Sequence, residues 1–182
     1  MEIYGCQIFL FHRNFRFRNI VGNGNVMTDW EVFEDHPFSK NIRFYRMSLY
    51  HEDVEKDEDG SKLITLSTLY EELKSLHGAV IIDYLKICIE EREWKVIPQL
   101  IATGLLAKVR QLAIEIHFNV SNTLAECREN IKTIRSIEDY GFIRFSSKIN
   151  AFSYDRHDGM GIEDFITHFL TWYNPHLKTS DI

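Results

Sequence analysis

Hydrophobic and polar positions along this chain alternate between the two-residue period of strands and the 3.6-residue period of helices. Cys6-Gln7-Ile8-Phe9-Leu10-Phe11 is apolar, partly β-branched and stops at His12-Arg13-Asn14, which predicts a buried strand. Val21-Gly22-Asn23-Gly24-Asn25 breaks the pattern and reads as a surface loop. Asn41 to Met47 has the length and aromatic content of a second strand. The acidic run Glu52 to Gly60 follows it and predicts a solvated loop. Thr68-Leu69-Tyr70-Glu71 has capping-box spacing, Leu69, Leu73 and Leu76 share a helical face, and Gly78 can close that helix.

Ala79 to Ile89 is almost continuously apolar, as expected of a central strand covered on both faces. Trp94, Ile97, Leu100 and Ile101 recur at helical spacing, and Pro98 predicts that this helix begins just before it. Val109 to Phe118 alternates apolar and polar residues, a strand pattern. Thr123-Leu124-Ala125-Glu126 opens a helix with Leu124, Cys127, Ile131 and Ile134 on one face and Gly141 at its end. Phe142 to Phe145 predicts a strand, Ile149 to Tyr154 another beside it. Ile162, Phe165, Ile166, Phe169 and Tyr173 fit a terminal helix stopped at Asn174-Pro175. Strands alternating with helices predict an α/β sheet with helices on both faces and ligands at the carboxyl ends of its strands. No internal repeat or low-complexity linker interrupts the chain, so its 182 residues are read as a single domain, 1–182.

Charge narrows the function classes. With 21 basic and 27 acidic residues the formal net charge is −6, which supplies no overall field for a phosphate backbone, and no nucleic-acid partner is expected. The short basic and aromatic stretch His12 to Arg18 is read as a solvated loop. No apolar run approaches the roughly 20 residues that cross a bilayer, and the first residues lack the pattern of a signal peptide, so a soluble chain without a membrane span is expected. Asn119-Val120-Ser121 fits an N-glycosylation triplet, which matters only in a secreted chain.

Three cysteines, Cys6, Cys88 and Cys127, are too scattered for a metal knuckle or a disulfide scaffold and are read as small core residues. The acidic run lacks the ligand order of a calcium loop. No serine-hydrolase elbow, phosphate-binding Walker loop or His-Glu-x-x-His zinc motif occurs. The remaining candidates are polar residues where strands give way to loops: Cys88, Glu90 and Glu91 after one strand, Glu115 and His117 at the end of the next. Adjacent strands would bring them together. A carboxylate and an imidazole there serve either as base and orienting partner or as partnered polar residues of a strand end.

Two segments carry a family resemblance. Ile82-Asp83-Tyr84-Leu85-Lys86-Ile87, then Ile89-Glu90 and Glu93-Trp94-Lys95-Val96, resembles a signature of the methyltransferase-like 24 group, relatives of the FkbM-type methyltransferases. Val109-Arg110-Gln111-Leu112-Ala113-Ile114-Glu115-Ile116-His117 resembles the signature that follows it in that group. The resemblance implies a Rossmann-like methyltransferase sheet, S-adenosylmethionine as cofactor and an unidentified methyl acceptor. It further implies a chain that starts after the family's usual first strand and glycine turn, leaving a sheet edge open to self-association. His12 stands where the family carries an acidic residue facing the ribose, and Cys88 replaces a family aspartate. His12, Cys88 and Glu90 are thereby the expected cofactor-binding residues, with Glu115 and His117 as catalytic candidates. A thiol and a neutral imidazole accept fewer hydrogen bonds than the carboxylates they replace, so a non-catalytic relative serving as an interaction module is the alternative.

Overall fold

The structure, a computed structural model, describes residues 8–11, 42–45, 47–55, 62–74, 78–151, 153–157 and 162–177. The chain divides into two compact units, Met1–Thr65 and Leu66–Ile182. In the first, β1 (Ile8–Phe11) pairs in parallel with β2 (Ile42–Tyr45), and β3 (Met47–Leu49) pairs in parallel with β4 (Lys62–Ile64). Both strands expected from the apolar runs are present. The start of the acidic run is built into this unit: Val54 bridges Leu63, and Asp53 Oδ1 accepts the Thr65 backbone N–H at 2.6 Å. A segment expected to be wholly solvated therefore begins as paired backbone. The glycine-rich stretch Val21 to Asn25, the basic stretch and His12 lie outside the described residues.

The second unit opens with α1 (Leu66–Glu72), which buries Leu66, Leu69 and Tyr70. Because it begins at Leu66, Thr68 stands inside the helix rather than at its cap, and Glu71 pairs with Lys74 at 2.9 Å. Gly78 takes φ +68 and donates to the Lys74 carbonyl at 2.8 Å, the closing role expected of it.

Four strands then form a mixed sheet in the order β5 (Ile82–Ile87), β6 (Val109–His117), β10 (Thr167–Tyr173), β7 (Ile143–Ile149). Strands β5 and β6 are parallel, whereas β10 runs antiparallel to both β6 and β7. Two expectations are corrected here. The segment read as a terminal helix is strand β9 (Ile162–Phe165), hairpinned to β8 (Tyr154–His157), followed by β10. Spacing at i, i+3 and i+4 fits a helix there, but Thr167, Leu170 and Trp172 are buried within a run of threonines and aromatics that favours an extended backbone. Strand β5 is also not central: among the described residues it pairs only with β6, and Tyr84 projects to solvent.

Helix α2 (Glu93–Ala102) starts five residues before Pro98, earlier than the proline suggested, so the ring deprives the Trp94 carbonyl of its intrahelical donor. A 3-10 turn, Leu105–Lys108, leads directly into β6. Helix α3 (Leu124–Asp139) carries the expected capping box, with Glu126 N–H donating to Thr123 Oγ1 at 3.2 Å and Thr123 N–H to Glu126 Oε2 at 2.6 Å. It buries Cys127, Ile134 and Ile137, while Leu124 and Ile131 remain exposed, so the buried stripe is rotated from the expected one. Gly141 ends the helix at φ +115, with the His176 ring 3.5 Å from where a Cβ would stand. Strand β7 extends to Ile149, and Ser153 N–H donates to the Asn150 carbonyl at 3.0 Å where a continuous strand was expected.

Alternation divides the sheet. Leu112, Ile114, Ile116, Leu170 and Trp172 point to one face and are buried. Trp172 Nε1 donates to Glu138 Oε1 of α3 at 3.3 Å, and Arg144 pairs with the same carboxylate at 3.1 Å. The opposite face carries Gln111, Ala113 and Glu115 beside the exposed Phe169 and Tyr173. The second helical layer expected there is not found among the described residues.

Candidate functional site

Parallel pairing aligns Ile87 with Ile114, so the next residue out on each strand, Cys88 and Glu115, meet at the carboxyl end of the sheet. Cys88 Sγ lies 3.2 Å from Glu115 Oε2, and Asn150 Nδ2 donates to Glu115 Oε1 at 3.3 Å. One ligand-type atom each from Cys88, Glu115 and His117 lies within 4.8 Å of the others. Cys88 is exposed, Glu115 and His117 half-buried. Three of the five candidates read from the sequence thus form one cluster, which joins the expected cofactor side to the expected catalytic side.

The chain leaves β5 by an unusual turn. Glu90 and Glu91 both adopt left-handed backbone, φ 51 and 69, a conformation that non-glycine residues hold only where surrounding contacts impose it. Asn119 Nδ2, from the loop after β6, donates to Glu91 Oε1 at 2.9 Å and ties the two strand ends together. Glu90 is exposed and acts on His117 through its charge rather than by contact.

Beneath His117 lies Glu93, the first residue of α2 and fully buried. Its Oε1 accepts the His117 backbone N–H at 2.5 Å and faces His117 Nδ1 at 2.9 Å, while its Oε2 is buried with no hydrogen-bond partner among the described residues. The adjacent Trp94 donates from Nε1 to the His117 carbonyl at 3.0 Å, and its ring centroid lies 5.2 Å from that of Phe118. The Glu-Trp pair therefore grips both backbone groups and the imidazole of the histidine that ends β6. Sequence reasoning missed this role, because an acidic residue in the first turn of a helix ordinarily faces water and the helix dipole. Asn150 was missed as well, since it reaches the cluster from the end of β7.

Protonation follows from these contacts. The hydrogen bond to Glu93 raises the His117 pKa above its ordinary value of 6.5, outweighing the opposing effect of burial, with Glu115 and Glu90 adding to the rise. Loss of water around its sulfur, and then the bond to Glu115, push the Cys88 thiol up to about 11. At neutral pH Cys88 is a thiol that donates to the Glu115 carboxylate, and it lacks the thiolate character of a nucleophile.

A cleft on the helix-covered face, lined by Ile116, Ile134, Arg135 and Leu170 among others, is separate from this cluster. No described helix is long and apolar enough to cross a membrane. No curated protein matches the chain. A family model described as a methyltransferase domain matches residues 25–161, which include Cys88, Glu90, Glu93, Glu115 and His117. With three quarters of its length matched, and with its polar residues gathered at the carboxyl ends of two parallel strands, the chain belongs to the methyltransferase-domain family.

Proposed function

We propose that this chain is an S-adenosylmethionine-dependent methyltransferase-like domain of the methyltransferase-like 24 group, with a Rossmann-like sheet and an acceptor of unidentified class. The observation that carries this reading is the meeting of Cys88, Glu115 and His117 at adjacent parallel strand ends in a methyltransferase-family chain. The family match runs through both compact units, which supports reading 1–182 as one methyltransferase-like domain.

When bound, the cofactor supplies a methyl group already activated by its sulfonium, so the protein's task is alignment and proton removal. Glu90, exposed at the left-handed turn, has the acceptor oxygens that ribose hydroxyls require, whereas Cys88 contributes an S–H donor. His12 belongs to the ribose side by resemblance alone. In this reading His117, oriented by Glu93, and Glu115 take the proton released by the acceptor. Calorimetric titration of the full chain with S-adenosylmethionine is expected to give heat and a raised Tm. Neither effect at millimolar cofactor rejects the reading.

One observation favours the non-catalytic alternative. Both Glu115 oxygens are already engaged, by Cys88 and by Asn150, at the position where the family aspartate is replaced by a thiol. In that case the β5 edge and the exposed sheet face serve as an interaction surface, through which sedimentation would detect self-association. Cys88→Asp separates the two: cofactor binding gained by the variant identifies a decayed site, and continued silence supports an interaction module.

A further inference from the structure

Cys88, Glu115 and His117 differ in chemical type, and that mixture has a meaning apart from methyl transfer. Magnesium and calcium sites are built from oxygen, whereas a set of one sulfur, one imidazole nitrogen and one carboxylate oxygen suits zinc and ions like it. Tetrahedral zinc bonds of about 2.0–2.3 Å hold such ligands about 3.3–3.5 Å apart. Cys88 Sγ and Glu115 Oε2 are 3.2 Å apart, and all three ligand atoms lie within 4.8 Å of one another, so small side-chain rotations close the set.

A second observation points the same way. Glu93 is fully buried, one of its oxygens faces His117 Nδ1, and the other has no hydrogen-bond partner among the described residues. A buried carboxylate with an unsatisfied oxygen is costly, and its cost falls when the imidazole it holds becomes more positive. Coordination of a cation by the opposite ring nitrogen has that effect. Metal-bound histidines commonly hold a carboxylate on their other nitrogen, which fixes the ring and raises its basicity.

We propose that Cys88 Sγ, Glu115 and His117 Nε2 form a divalent zinc-class metal site, with Glu93 as the positioning residue behind His117. A thiolate, a carboxylate and a neutral imidazole together neutralise the ion's two charges. Binding breaks the Cys88 S–H bond as the metal–sulfur bond forms, and a proton on His117 Nε2 is displaced as the metal–nitrogen bond forms; both protons leave to solvent, with no redox change. Three protein ligands leave a fourth position for water or for an oxygen of a bound molecule. Exposure of Cys88 gives the ion its route in.

The proposal does not rest on the cofactor reading, and the two are tested separately: metal is titrated without cofactor, and cofactor into chelator-treated protein. Cobalt(II) added to the chelator-treated full chain is expected to give a near-ultraviolet thiolate-to-cobalt band that saturates at one equivalent and is displaced by zinc. Cys88→Ser should abolish the band, and His117→Gln and Glu115→Gln should weaken binding at least as much as loss of an outer-shell partner does. For Glu93→Gln the expected loss is about 10–100-fold in affinity, measured in protein whose circular dichroism shows it folded. A merely structural Glu93 would lower the metal-free Tm and leave cobalt affinity unchanged. Absence of a band at equimolar cobalt overturns the proposal. So does a band retained in Cys88→Ser, which would move the ligand to Cys6 or Cys127.

Discussion

On one face of the four-stranded sheet, Leu112 and Trp172 are 0% exposed and Ile114 is 1% exposed, packed on the side of α3. On the other, reached by a step of one residue along the same strands, Phe169 and Tyr173 are 36% and 39% exposed, and Phe145 reaches 58%. The first face is selected for shape and apolar area. The second holds Glu115 level with Phe169 and carries no comparable packing among the described residues. A period-two backbone thus lets one strand serve stability on alternate residues and chemistry on the rest, so the two sets of substitutions should have separable effects.

The largest expected effect lies on the covered face. Trp172→Ala should lower the unfolding free energy by about 3–5 kcal/mol, because it removes a large buried ring and leaves a cavity. Urea denaturation measures this, and a loss under about 1 kcal/mol would break the distinction between the faces.

At the boundary between the two, Glu93→Ala leaves the His117 backbone N–H without its buried acceptor and should cost about 1–3 kcal/mol by the same measurement. Part of that contribution depends on pH. The folded-state pKa of His117 is raised, so the pair's extra stability is fully present below the unfolded value of 6.5 and is lost as pH rises through the folded one. The His117 imidazole resonances of chelator-treated protein should titrate with a midpoint above 6.5, and Glu93→Ala should bring it down. A midpoint unchanged in that variant would remove Glu93 as the cause.

The smallest effect is expected on the open face. Phe145→Ser should change stability by no more than about 0.5 kcal/mol, since its ring is mostly in water. A loss of several times that size would mean that another surface covers this face in solution, and dilution would reveal it.

How far the sequence foretold these faces depends on the strand. The alternation of Leu112, Ile114 and Ile116 is sufficient to orient β6, and the Thr123–Glu126 pair marks the start of α3, because both signals are local. Residues 162–173 carry a spacing that suits a helix equally well. The extended form of 167–173 depends on ladders to β6 and β7, which are remote in sequence, whereas 162–165 pair with β8. The apolar run before Cys88 indicates a strand but not its neighbours, so its place in the sheet was not legible. Cys88, Glu115 and His117 could be suspected from their position at strand ends, whereas their meeting depends on the β5–β6 register. Glu93 was hidden for a different reason: its residue type says surface, and only the packed fold places it beneath His117.

The position of β10 between β6 and β7 has a consequence for the newborn chain. β7 leaves the ribosome before the only strand that it pairs with in this sheet among the described residues, and the two dozen residues from Ile149 to Tyr173 take about 1–5 s to add at ordinary elongation rates. During that interval Ile143, Phe145 and Ile149 wait with an unfilled ladder beside a half-built sheet. Assembly of this unit is therefore timed by its last strand, and the arrival of Thr167–Tyr173 is the event that converts two separate pieces into one sheet.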